Sequence, residues 1–364
     1  MDINVHDANL ELGVIGNSSF GALVDKRGRV VWSCLPSFDG DPAFCALLSP
    51  RGQEGGDFSI ELEDFERSEQ RYEPNTAILR TVLHDRNGDS LEIVDFAPRW
   101  RQNGRFYRPV SIIRRITPLS GNPRIRVRVR PLADWGARVP ESTWGSNHIR
   151  WLLPHFTLRL TTDVPVRFVR DSLPFVLTHR MHLVLGPDEP MGRSLTGYVE
   201  EAITRTREYW REWVRYLSIP LEWQDAVIRS AITLKLCQYE DSGAIIAAMT
   251  TSIPEAPGTT RNWDYRYCWL RDAAFVVRAL NRLGATRSME EFLRYIFNIA
   301  THDGHLQPLY GIGFEEHLEE HEVPSLAGYR GMGPVRRGNL AWMQKQHDVY
   351  GSVVLASTQL FFDQ

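Results

Sequence analysis

Cysteine is scarce in this chain: Cys34, Cys45, Cys237 and Cys268 are the only four in 364 residues, far apart and without a Cys-x-x-Cys pair. So few cannot staple a chain this long, and they read as the reduced thiols of a cytoplasmic protein. Charge of one sign is lacking too, since 42 Lys and Arg against 45 Asp and Glu leave a formal net charge of −3. That gives no electrostatic case for nucleic acid or an acidic membrane surface, which would call for a clustered basic field, and the expected partner is neutral or small. No stretch supplies the about 18 uninterrupted apolar residues of a membrane span. The opening MDINVHDANLELGVIGNSS has neither the basic region nor the apolar core of an export signal. Internal repeats and low-complexity segments are also missing.

What is present is an ordinary globular composition, 43% hydrophobic and 24% charged, in a chain too long for one core. Two domains are expected. Up to about residue 190 the text is short alternating runs broken by turn residues. TAILRTVLHDRNGDSLEIVDF predicts two strands around an Asn87-Gly88 turn, where positive backbone angles are tolerated. RIRVRVR (124–130), HFTLRLTT and FVLTHRMHLVL alternate as strands do, and so many strands suggest a sandwich. The four arginines of RIRVRVR fit either a polyanion patch or, more simply, one solvated strand face.

The period then changes. From Ser194 onward Val199, Ile203, Thr206, Trp210 and Trp213 follow helical spacing, which predicts a linker helix. LEWQDAVIRSAITLKLCQYE places Trp223, Val227, Ala231 and Leu234 on one stripe, with Gly243 beyond its end. DAAFVVRALNRLG stops at Gly284, a favourable residue just past a helix. SMEEFLRYIFNIATHDG opens with Ser288 and Glu291 at capping-box spacing. NLAWMQKQHDVYGSVVLASTQLFFDQ predicts a long last helix that is still apolar at Leu360, Phe361 and Phe362. The resulting division is a sandwich over 1–190, a helical linker over 191–217 and a helical part over 218–364.

The densest chemistry lies in RNWDYRYCWLRDAAF (261–275). In an extended conformation Trp263, Tyr265, Tyr267 and Trp269 share one face, with Asn262, Asp264, Arg266 and Cys268 opposite. A sugar ring has C–H faces and a hydroxyl rim, so its site wants flat aromatic platforms beside charged forks. Arg271 offers rigid donors and Asp272 two acceptor oxygens. The competing reading is structural: Asp272 caps the following helix, Arg271 is its ion-pair partner, and the aromatics are core.

These residues resemble the signature of glycoside hydrolase family 15, the glucoamylase and trehalase-like enzymes. GVIGNSSFGALVDKRGRVVWSCLPSFDGDPAFCALL (13–48) is similar to the N-terminal domain of the bacterial members, and LQPLYGI (306–312) and GYRGMGPVRRGNLAWMQKQHDVYG (328–351) match in order and spacing. The resemblance implies a β-sandwich, a helical linker and an (α/α)6 barrel that cleaves terminal α-linked glucose with inversion, from maltooligosaccharide or trehalose, without a cofactor or metal. It implies that Arg271 and Asp272 bind the terminal glucose hydroxyls, that Tyr265 and Trp269 line the same subsite, and that Tyr310 and Arg330 belong to the cleft wall.

Inversion needs an acid and a base carboxyl about 6.5–9.5 Å apart. The family's two positions lie past the DVYG helix, so this chain is expected to lack both. The carboxylates at hand, Asp264, Asp303, Glu315, Glu316, Glu319, Glu320, Glu322 and Asp348, match neither. A barrel begun and not closed would leave Val353, Val354, Leu360 and Phe361 bare, to be covered by a further C-terminal part, a second chain or a homo-oligomer. The alternative function is a non-catalytic remnant that binds sugar or protein. Two smaller motifs compete with plainer readings: HLEEH (317–321), a possible zinc pair on a helix set against a solvated acidic run, and GYRGMGPVRRGN, a possible phosphate cradle set against a tight family loop.

Overall fold

The structure, a computed structural model, describes residues 8–49, 55–300 and 305–362. Asp303 therefore lies outside the described residues, as do the side chains of Leu360, Phe361 and Phe362. The chain forms two compact units, Met1–Glu212 and Trp213–Gln364.

Two antiparallel sheets make the first unit. One runs in the order Gly13–Gly16, Gly21–Val24, Val30–Leu35, Asp57–Leu62, Arg124–Arg130, Phe175–Val176, with Asp41–Phe44 attached beside Val30–Leu35. The other runs Ser142–Trp144, His148–Leu152, Thr157–Thr162, Met181–Pro187, Ile112–Ser120, Ser90–Phe96, Leu79–Asp85, Phe65–Tyr72. Their facing sides share one core, in which Ile15, Val24, Phe58, Ile60, Ile125 and Val127 meet Leu79, Leu83, Ile93, Ile116, Leu160 and Leu183. This is a β-sandwich.

The alternation of 124–130 is realised, with Ile125, Val127 and Val129 buried. The arginines answer acids on or beside the neighbouring strand, Arg124 to Glu63 at 3.4 Å, Arg128 to Glu61 at 3.2 Å and Arg130 to Asp57 at 2.9 Å. A charge ladder across two strands therefore takes the place of a polyanion patch. At the predicted hairpin, Gly88 alone has positive φ, +92°. The turn is shaped by the Asp85 carboxylate, which accepts from the Asn87 and Asp89 backbone N–H groups at 2.8 Å each. The run FVLTHRMHLVL is split, Phe175–Val176 joining one sheet and Met181–Pro187 the other.

After a short helix α1 (Val166–Arg170) comes α2 (Leu195–Arg215), the predicted linker helix. Its Tyr198, Val199, Ala202 and Ile203 pack with Ile78, Val94, Phe96, Ile113 and Val184 on the outer face of the eight-stranded sheet. That sheet is thus covered on both sides, which explains why nearly every residue of Ser90–Phe96 is buried.

The second unit contains α3 (Gln224–Leu236), α4 (Leu270–Arg282), α5 (Thr286–Ile299) and α6 (Asp348–Phe362), joined by loops that carry two-residue bridges. Helix α4 packs against both α5 and α6. Gly284 follows α4 with φ +80°, as expected. Elsewhere the boundaries differ from the sequence reading. Trp223 is left-handed at φ +61° and 79% exposed, so it precedes α3 instead of joining its buried stripe. Gly243 closes a hairpin between Gln238–Tyr239 and Ala244–Ile245 and does not end α3. Helix α5 begins at Thr286, three residues early, so Ser288 and Glu291 are buried inside it and form no capping box. Glu291 instead accepts from Gln238 Nε2 at 2.9 Å and Arg287 Nε at 2.7 Å. The last helix opens only at Asp348, after a separate 3-10 turn, Leu340–Met343, whose start is capped by the Asn339 side chain. On α6, Val354 and Leu355 are 59% and 64% exposed. Among the described residues no helix is long and apolar enough to cross a membrane.

Candidate functional site

The aromatic stretch is extended, and its two faces are sorted as the alternation predicts. Asn262, Asp264, Arg266 and Cys268 are fully buried, whereas Trp263 and Tyr265 are only half-buried. The polar face is buried throughout, whereas the aromatic face is half-buried at Trp263 and Tyr265 and buried at Tyr267 and Trp269, so the reading of the aromatics as core holds for the second pair alone. The polar face can be buried because its groups are bonded. Asp264 Oδ1 and Oδ2 accept from Arg266 Nε and Nη2 at 2.9 and 2.8 Å. Asp264 also receives the Gly338 N–H, and its carbonyl receives Asn339 Nδ2 at 3.0 Å. Asn262 Nδ2 donates to the Met332 and Pro334 carbonyls at 3.1 Å each. The polar face thus binds the glycine-rich 328–340 loop to the strand.

Tyr267 and Trp269 sit deeper, at 7% and 8% exposure, clustered with Leu309, Leu318 and Ala341. Cys268–Trp269 pairs with Leu309–Tyr310, and the chain then turns directly into α4. This places Arg271 and Asp272 in the first turn of that helix. Capping is not the role of Asp272: it lies inside α4, and no side-chain hydrogen bond forms at the helix's cap residue, Trp269. The Asp272 side chain is 50% exposed, and its nearest charged partner is Arg271 Nε at 3.8 Å. Arg271 turns its Nη1 toward α6, donating to Asp348 Oδ2 at 2.9 Å and Gln346 Oε1 at 3.2 Å. The Tyr265 ring stands 5.9 Å from that of Trp269. Its hydroxyl donates to Glu255 Oε1 at 3.0 Å, while Arg261 grips Oε2 of the same carboxylate from Nε and Nη2 at 2.9 and 2.7 Å.

These bonds set the electrostatics. The Arg261 and Tyr265 hydrogen bonds hold the Glu255 carboxyl below the ordinary range. Burial pushes the Tyr265 hydroxyl up to about 12, helped by Glu255 and by the nearby Asp272 charge. Burial likewise pushes the Cys268 thiol up to about 12, behind the aromatic strand.

Of the other predicted residues, Tyr310 is 2% exposed, and its hydroxyl accepts the Gln307 N–H at 3.0 Å. Arg330 is exposed on a left-handed turn at φ +54°, its guanidinium 5.3 Å from the Tyr329 ring centre. The structure brings Tyr265, Trp269, Arg271 and Asp272 together on one short stretch, backed by Tyr310. HLEEH forms no helix: His321 begins a two-residue strand, His317 meets the Trp342 ring edge-on, and Glu320 pairs with Arg336 at 2.8 Å. No group of three metal-ligating side chains exists among the described residues. Arg336 is therefore engaged by an acid within the loop that was weighed as a phosphate cradle. Glu255, Arg261 and Gln346 were not singled out from the sequence. Glu255 and Arg261 had a signal, opposite charges at the two ends of the turn EAPGTTR.

A β-sandwich followed by a helical unit whose loops gather aromatics and charged pairs defines a multi-domain protein of the β-plus-α kind. Residues 223–363 match the family model for glycosyl hydrolases family 15, and residues 8–143 match that for trehalase-like N-terminal domains. The chain belongs to glycosyl hydrolases family 15, as its sequence motifs indicated. Among its relatives are a trehalase of Thermoplasma volcanium, 30% identical over 94% of this chain and 56% of the relative. A trehalase of Mycobacterium tuberculosis is 31% identical over 91% of this chain and 53% of its own length. Trehalase 1 of Sulfolobus acidocaldarius is 32% identical over 94% and 58%. The chain thus spans little more than half the length of these relatives.

Proposed function

We propose that the second unit binds a terminal α-linked glucose, as part of an inverting glycoside hydrolase that acts on trehalose in preference to maltooligosaccharide. In this reading residues 1–190 are the sandwich, 191–217 the linker and 218–364 the first part of an (α/α)6 barrel. Support for trehalose comes from the names of the relatives; support for the sugar site comes from one arrangement. Arg271 and Asp272 stand exposed at the start of α4 beside the half-buried Tyr265 ring. The ring offers a flat face to sugar C–H groups, and Asp272 offers acceptors to neighbouring hydroxyls. Arg271 adds the charged donors that make such bonds strong.

Hydrolysis with inversion further requires a protonated carboxyl and a separate base. Glu255 is unsuited to the acid role, because Arg261 and Tyr265 keep it ionised at neutral pH. Glu255, Glu320 and Asp348 are each held by an arginine. That engagement favours, as a second reading, sugar binding without turnover by this chain. Glucose release from trehalose and from maltotriose, compared between the wild-type chain and Asp272→Ala, separates the two. Turnover lost in the variant supports the hydrolase; binding of trehalose without release of glucose supports the second reading. A wild-type chain that neither binds nor cleaves these sugars would overturn both.

A further inference from the structure

We infer that the site grips two glucose units with two guanidinium–carboxylate couples, one for each ring, the second couple being Arg261 and Glu255. This rests on the sugar-binding reading and adds to it the residues that recognise the second ring of a diglucoside by its own hydroxyls.

The observation is a repeated arrangement. Asp272 and Glu255 both act on the Tyr265 hydroxyl, Glu255 by a direct bond and Asp272 through its charge. The Tyr265 hydroxyl thus bonds the second couple directly, while its ring stands 5.9 Å from that of Trp269, the residue just before the α4 turn that carries the first couple. Each couple is open to solvent, with side-chain exposures of 42% and 50% in the first and 65% and 35% in the second. Arg261 spends Nε and Nη2 on Glu255, and among the described residues its Nη1 makes no hydrogen bond. Glu255 Oε2 orients that fork while Oε1 accepts from the Tyr265 hydroxyl. A fork so oriented loses little further freedom when it donates to a sugar hydroxyl. On the same side, Trp263 presents a half-buried ring backed by the Arg336 guanidinium 5.3 Å from its centre, an aromatic face for the second ring. A lone salt bridge closing a surface turn would not require the tyrosine hydroxyl to share its carboxylate.

The test is calorimetric titration of the purified chain with trehalose and with glucose, for the wild type, Asp272→Ala, Arg261→Ala and Glu255→Gln. Arg261→Ala is expected to weaken trehalose at least tenfold and glucose less than twofold, because glucose occupies only the first couple. Glu255→Gln is expected to weaken trehalose severalfold, and Asp272→Ala to weaken both sugars together. Far-UV circular dichroism shows whether each variant is folded, and the exposed Arg261 side chain makes unfolding there unexpected. If Asp272→Ala loses glucose while Arg261→Ala leaves trehalose unchanged, the two-couple inference fails and the sugar site stands. Equal losses of both sugars in Arg261→Ala would also overturn it, and a wild type that binds neither sugar overturns it together with the sugar site.

Discussion

Asp264 and Arg266 lie two residues apart, point to the same inner face and close a two-bond ion pair with essentially no exposure to solvent. The pair holds the aromatic strand from behind, since Asp264 also receives the Gly338 N–H. Removing one partner of a buried pair leaves the other charge uncompensated, at about 3–5 kcal/mol. Asp264→Ala should therefore destabilise the second unit by that order, measured as a drop in the urea midpoint. A change below about 1 kcal/mol would show that the pair is not integral to the fold.

A second buried carboxylate links elements of the sandwich unit. Glu73, just past the strand Phe65–Tyr72, accepts from Arg80 Nη2 at 2.9 Å, Arg207 Nη2 at 3.2 Å and Arg211 Nη2 at 3.3 Å. Burial alone would raise its pKa, but the Arg207 and Arg80 hydrogen bonds outweigh burial and hold it below the ordinary range. A lowered carboxyl stabilises the fold above the unfolded-state value of about 4.3 and loses that contribution as pH falls through the folded value. Glu73→Gln should cost about 2 kcal/mol at pH 7. The melting-temperature gap to wild type should stay constant down to about pH 5 and close at more acid pH. Thermal unfolding between pH 3 and 7 checks this, and a gap that persists at pH 3 would contradict it.

The periodic parts of this fold were legible because period 2 and period 3.6 are set by side-chain geometry. Strands such as 124–130 and the helix through Val199 and Ile203 appear as read. Boundaries were less legible, because tertiary partners decided them. Glu291 fits a capping box on paper, but Gln238 and Arg287 engage it in the interior, and α5 starts earlier. Trp223 fits an apolar stripe, but its left-handed backbone keeps it out of the helix, which starts at Gln224. At the site, alternation correctly separated the two faces of 261–269 without revealing which was inside. Hydrophobicity favours burying the aromatics. The bonded network of Asn262, Asp264 and Arg266 with the 328–340 loop lets the polar face be buried as well, leaving Trp263 and Tyr265 half-buried while Tyr267 and Trp269 stay inside, and a contact between segments 70 residues apart leaves no local pattern.

Gly243 is fixed by its neighbours as well as by its conformation. Its φ is +94°, and a Cβ there would stand 2.0 Å from the Glu291 carbonyl oxygen, a backbone atom that cannot rotate away. Positive φ alone costs a residue with a side chain about 1–2 kcal/mol, and the clash adds to it. Gly243→Ala should destabilise the second unit by at least about 2 kcal/mol in chemical denaturation. A neutral result would mean that the hairpin and α5 can separate at little cost.

The cysteines should be inert in the folded protein. Burial pushes the Cys45, Cys237 and Cys268 thiols up to about 12. The reactive species is the thiolate, so at pH 8 only a minute fraction of each is available. A disulfide-exchange dye should label these sites slowly in native buffer and fully in denaturant. Rapid native labelling of Cys268 would place an opening motion at the strand that carries the sugar-site residues.

Asp348 tests whether the orientation of Arg271 matters separately from its charge. The two side chains are 46% and 42% exposed and bond at 2.9 Å, so the pair itself is worth about 0–1 kcal/mol. Asp348 is also the first residue of α6, where a negative charge adds about 0.3–1 kcal/mol. Asp348→Asn should then lower stability by no more than about 1.5 kcal/mol, since the amide oxygen can still accept from Nη1. If Arg271 must be aimed to meet sugar hydroxyls, Asp348→Ala should weaken glucose severalfold while Asp348→Asn, which keeps the acceptor, weakens it less. Calorimetric titration of both variants with glucose decides the point. Identical losses would assign the effect to charge alone, and no loss in either would mean that Gln346, bonded to Arg271 at 3.2 Å, suffices to hold the guanidinium in place.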